Sequence, residues 1–142
     1  MTARHTISPL TPPTIVDSGE YRAGSCNIGP AEIAQRRMFG HIALIASVAI
    51  LLALVFLQAP AWTRLVLVIT AGGSASGYLQ ARFHFCANFG SRGVYNFGAV
   101  GAVDHVASSE DRARDRARAL QIGLASLAIG LAVGIVAAIL PL

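Results

Sequence analysis

Charge is scarce in this chain. Only 13% of its residues are Asp, Glu, Lys or Arg while 54% are hydrophobic, against roughly 25% charged in an ordinary soluble domain. That balance argues against a soluble globular protein and makes a membrane protein the first reading. Lysine is missing altogether, so all eleven basic residues are arginine. The long apolar runs carry no acidic residue and no basic residue except Arg82 near one end. Charged groups inside a span usually mark an ion or proton path, so a lone copy acting as a transporter is disfavoured. A phosphate-cradling Gly-Lys-Ser/Thr loop, a serine-nucleophile elbow and a His-Glu-x-x-His pair are all absent, which removes the enzyme classes that depend on them. No catalytic residue and no cofactor is assigned. The first 37 residues contain no apolar core of the secretory type, so no signal peptide is expected there.

What is present is three apolar segments, 38–57, a stretch beginning at 65 that runs on towards 97, and 122–142. Each offers about the 20 residues needed to cross a hydrocarbon core of about 30 Å. The expectation is an all-α integral membrane protein with three transmembrane helices, an antiparallel hairpin followed by a third helix. Arginine placement orients it. Arg4, Arg22, Arg36 and Arg37 precede the first segment, and Arg82, Arg92, Arg112, Arg114, Arg116 and Arg118 lie between the second and third, leaving only Arg64 on the other side. By the positive-inside rule the N-terminus is cytoplasmic. The formal charge of +4 is then a topology signal, with attraction to anionic lipid second, and needs no nucleic acid. The chain divides into a disordered cytoplasmic tail (1–25), a hairpin with a cytoplasmic Gly- and aromatic-rich loop (26–97), a charged cytoplasmic linker or helix (98–121) and the third span (122–142).

Local signals refine this. Pro30 suits the first turn of helix one, with Glu32 near the positive end of its dipole. Pro60 opens helix two after a tight hairpin, and Trp62 suits the outer interface. Gly73 and Gly77 on helix two, and Ser126, Gly130, Gly134 and Ala138 on helix three, form small-residue strips at four-residue spacing. Such strips let backbones approach in lipid, so they are expected to pack on each other or across a homodimer; the alternative is an alanine-rich composition and nothing more. Asn-Phe-Gly-x-x-Gly occurs twice, at 88–93 and 96–101, and reads as turns, with Gly90 ending helix two. Phe83, Phe85, Phe89, Tyr95 and Phe97 are expected as an aromatic belt at the inner interface. Ser108 and Asp111 have the spacing of a capping box opening a charged helix that joins the third span, with Glu110–Arg114 and Asp115–Arg118 as ion pairs.

Cys26, His41, His84 and Cys86 all map near the inner face. Thiolate and imidazole together suit zinc, copper or iron, so Cys26, His84 and Cys86 are metal candidates, provided helix two has unwound by Phe83. Cys26 and Cys86 are also thiol candidates, since Arg82 and Arg92 would favour a thiolate at Cys86. The plain alternative is that both are small packed side chains. A cytoplasmic location disfavours a stable disulfide between them.

Asn27-Ile28-Gly29, Glu32, Arg36 and Gly40, taken with Phe85-Cys86-x-x-Phe89-x-x-x-Gly93-Val94, resemble the YgaP-like inner-membrane family, a bacterial two-helix domain of largely unknown function. The resemblance covers residues 26 to about 95. Ala87 stands where that family usually has proline, Phe89 where it has tyrosine and Ile33 where an arginine is frequent, and the third span is additional. The resemblance implies a hairpin in the bacterial inner membrane, a tendency to dimerise and a cysteine near the cytoplasmic face. It does not carry over sulfurtransferase activity, because no rhodanese domain fits in the chain. The expected role is a small multi-pass accessory protein that associates with itself or with a larger membrane complex. The alternatives are a thiol or metal site at the cytoplasmic face, and an oligomeric small-solute channel around Ser74 and Ser76.

Overall fold

The computed structural model describes residues 20–141, so most of the expected tail lies outside the described residues. The chain is mostly helical. Helix α1 (Pro30–Phe56) is followed by a 3-10 turn (Ala61–Val66), α2 (Leu67–Phe83), a short α3 (Ala87–Arg92), a two-residue antiparallel ribbon of β1 (Val94–Tyr95) with β2 (Asp104–His105), and α4 (Ser109–Ile139).

The helix boundaries follow local chemistry. Pro30 occupies the first turn of α1, where its missing N–H is not needed. Ser108 caps α4, its hydroxyl accepting from the Asp111 N–H at 3.3 Å. The charged segment and the third apolar stretch form one uninterrupted helix, as expected. Helix α2 differs. Pro60 opens the 3-10 turn rather than the helix, and Gly90 does not end it. His84 does, in a left-handed conformation at φ 52°, while Gly90 sits inside α3.

Among the described residues two helices, α1 and α4, are long and apolar enough to cross a membrane. Only 11% of the most apolar stretch of α1 is buried, and 28% of that of α4, so most of each stretch lies outside the interior of the bundle. Their outer faces display Ile45, Leu52, Phe56, Leu124 and Ile139. Helix α2, with 17 residues, is about 26 Å long at 1.5 Å per residue, and its 3-10 lead-in extends it.

Helix α2 packs on both α1 and α4. Gly77 faces α1 so closely that an added Cβ would lie 2.7 Å from the Gly40 nitrogen and 2.8 Å from the Arg36 carbonyl oxygen. On the other flank Gly130 meets Val68 and Gly72, with 3.0 Å to the Gly72 Cα, and Gly134 meets Val68. At the far end of the bundle the Arg64 guanidinium, 4% exposed, donates to the carbonyls of Ala137 at 3.1 Å and Leu140 at 2.9 Å. That satisfies backbone acceptors a helix terminus leaves open.

Candidate functional site

Hydrogen bonds across long sequence separations build a compact polar cap at the arginine-rich end of the bundle. Its first knot is Asn27, wholly buried. The side chain accepts from the Cys86 N–H at 2.7 Å and donates to the Cys86 carbonyl at 3.1 Å, copying one rung of a backbone ladder. The His84 carbonyl accepts from the Asn27 N–H at 3.1 Å. The end of α2 is thereby sewn to the entry of α1.

The second knot is Asn96, also buried. Its amide donates to the Glu32 carboxylate at 3.0 Å and to the Ala99 carbonyl at 2.7 Å, while its side-chain oxygen accepts from the Gly98 N–H at 2.8 Å. Glu32, 1% exposed, also accepts from the Gly101 N–H at 3.1 Å and pairs with Arg36 at 3.2 Å. A buried carboxylate is costly unless it is paired and hydrogen-bonded, and both conditions are met. The two Asn-Phe-Gly-x-x-Gly copies thus diverge: the first forms α3 and ends in left-handed Gly93, the second forms the loop that wraps Glu32.

Asp115 is the third knot. It is fully buried, accepting from the Tyr21 hydroxyl at 2.9 Å and the Gly24 N–H at 2.7 Å. Burial, followed by the bond to Asp115, raises the Tyr21 hydroxyl well above its ordinary value. Tyr21 also stacks on Tyr95, with ring centroids 4.9 Å apart. Residues 20–25, expected in the tail, therefore belong to the cap. The expected pair of Asp115 with Arg118 does not form. Arg118 instead lies over the Phe83 ring at 4.5 Å, while Glu110 does pair with Arg114.

The cysteines sit differently from one another. Cys86 has no exposed surface and packs with Ile28, Phe89 and Val94. Cys26 is half-buried, and that burial pushes its thiol up, with Arg22 acting the other way. Of the two thiols only Cys26 keeps exposed surface. Helix α2 has unwound after Phe83, as a shared metal would require, but His84 is exposed. Among the described residues no three His, Cys, Asp or Glu side chains gather as a metal-holding group. His41 lies elsewhere, its Nδ1 within 2.5 Å of the Tyr78 hydroxyl.

The aromatic belt is also redistributed. Phe85 and Phe89 are buried in the cap, Phe85 against Ala119 and Ile122, so of the five only Phe83 is substantially exposed at 39%. The small-residue strips do pack, within the chain and with a shifted register. Gly77, Ser126, Gly130 and Gly134 lie in the seams, but α4 is met by Gly72 rather than Gly73, whose nearest neighbour to an added Cβ is Ala43 at 4.0 Å. Likewise Ala137 is the buried residue rather than Ala138.

An apolar groove of about 450 Å³ runs between α1 and α4, floored by Ala71, Ser74, Ala75 and Tyr78 of α2. A second cleft of about 360 Å³ continues it towards Leu140, sharing Leu51 and Val133. Ser47 and Ser74, on its walls, donate to the Ala43 and Gly40 carbonyls and present no unmet polarity.

No protein-family model, curated protein or solved structure matches the chain. Asn27, Glu32, Asn96, Asp115 and Arg64 carry the cap and the far clasp. Asn27 was visible in sequence only as part of the family resemblance, and Glu32 as part of it and as an acidic residue in the first turn of helix one. Asn96 was visible only as a turn residue, and each of the five has at least one partner far along the chain.

Proposed function

We propose that this is a small multi-pass accessory protein of the bacterial inner membrane, with α1, the 3-10 turn plus α2, and α4 as three spans and the polar cap on the cytoplasmic side. One observation carries the reading. Large apolar side chains point outward along α1 and α4, Phe56 being 87% and Ile139 75% exposed, while the buried polar groups Asn27, Glu32, Asn96 and Asp115 collect at one end. An outward apolar surface of that extent belongs against lipid or another membrane helix. The YgaP-like resemblance supports the same location. Function as a structural partner, with itself or with a larger membrane complex, is favoured over chemistry because the cap's polar groups are spent on holding the chain together. Its glycine seams are occupied internally, which leaves the exposed apolar faces of α1 and α4 as the surfaces offered to a partner.

The test is membrane extraction and cross-linking of the full chain in native membranes. The protein should resist alkaline carbonate, dissolve only in detergent, and cross-link to itself or to a membrane partner through cysteines introduced on the outer face of α1, for instance Ile45→Cys. Release by carbonate would remove the membrane assignment. An exclusively monomeric, partner-free product would remove the accessory role.

A further inference from the structure

The groove between α1 and α4 has an apolar body and a basic mouth. Its floor from Leu67 to Tyr78 spans eleven helical steps, about 16 Å at 1.5 Å each, close to one leaflet of a hydrocarbon core of about 30 Å. At the arginine-rich end Tyr78 and His41 join α2 to α1 at 2.5 Å. One turn beyond each lies an exposed arginine: Arg82 follows Tyr78 by four residues and Arg37 precedes His41 by four, so each shares a helix face with its neighbour. Arg82 also stands seven residues from groove-lining Ala75, and Arg37 seven from groove-lining Leu44. The ion pairs among the described residues involve Arg36 and Arg114 and leave Arg37 and Arg82 out.

Resting on the membrane reading above, we propose that this groove is a site for an anionic phospholipid, one acyl chain lying between α1 and α4 and the phosphate held by Arg37 and Arg82 beside the Tyr78–His41 pair. The complementarity is twofold. The body fits a chain of leaflet length and offers no unmet hydrogen-bonding group. The mouth carries two cations that pair with no carboxylate among the described residues at headgroup depth, the arrangement by which basic pockets between spans hold acidic headgroups. Guanidinium suits the task because its planar fork matches phosphate oxygens.

The test uses the purified full chain in mild detergent, given equimolar dioleoyl phosphatidylglycerol and dioleoyl phosphatidylcholine and read by native mass spectrometry, with vesicle flotation in parallel. Phosphatidylglycerol should be retained in preference. The Arg37→Gln/Arg82→Gln variant, altered only at exposed positions, should lose that preference by about tenfold, and Ala71→Phe, which fills the groove, should lower retention of both lipids. Equal retention of the two lipids by the native chain, unchanged preference in the arginine variant, or a second copy retained in place of lipid would each overturn the site. Failure to float would instead overturn the membrane assignment, so the two readings fail separately.

Discussion

Asn27 is held by two hydrogen bonds to the main chain of Cys86, one donated and one accepted, and this pairing closes the hairpin at its cap end. Removing the side chain in Asn27→Ala leaves the buried Cys86 N–H without a partner, while the Cys86 carbonyl keeps the Gly90 N–H at 2.9 Å, a penalty of about 1–3 kcal/mol. Asn27→Asp keeps the acceptor for the Cys86 N–H but sets a carboxylate oxygen against the Cys86 carbonyl, so it should destabilise at least as much despite being nearly isosteric. Thermal unfolding in detergent, followed by helical circular dichroism, distinguishes these outcomes. If Asn27→Asp were as stable as the native protein, the amide donor would have no structural role. Cys86 itself is enclosed by Ile28, Phe89 and Val94, a setting that suits a small apolar side chain.

Helix α2 owes its central place to glycines on two flanks, and the seams are specific to particular positions. At Gly130 an added Cβ would run into the Val68 carbonyl and sit 3.0 Å from the Gly72 Cα, backbone that cannot swing aside. Gly130→Ala should therefore force α4 off α2 and cost about 2 kcal/mol or more. Gly73→Ala meets nothing nearer than 4.0 Å, so it should be neutral or stabilising by up to about 1 kcal/mol. Equal effects at the two sites, measured by unfolding in the same detergent, would contradict the seam. Periodicity in the sequence located the strips but not their rotation about the helix axis. Gly72, Gly73 and Gly77 are all small, and only the neighbouring backbones decide which of them is in contact. The end of α2 was illegible for a similar reason. A histidine in a left-handed conformation has no strong local signal, and it is held there because its carbonyl receives the Asn27 N–H from 57 positions earlier in the numbering, a bond of 3.1 Å.

At the level of the whole molecule, the apolar segments, the Pro30 start, the Ser108 cap and the continuity of α4 could all be read from residues a few positions apart. The cap could not. Tyr21 meets Asp115 across 94 positions and Glu32 meets Asn96 across 64, and no local pattern encodes such partners. The result is a lopsided body, with buried polar groups and most of the arginines at one end and Arg64 at the other. The proposed orientation makes a definite forecast. A reporter fused before Glu20 should be active on the cytoplasmic side, and one inserted between Gln58 and Pro60 on the opposite side. The reverse pattern would invert the cap.

Arg64 also bears on the order of assembly. Its guanidinium reaches carbonyls 73 and 76 positions further on, in a stretch the ribosome has not yet made when the hairpin emerges. Until that stretch arrives these two acceptors are missing from the guanidinium. The last turn of α4 then works as a latch, and this clasp closes only after translation has passed Leu140.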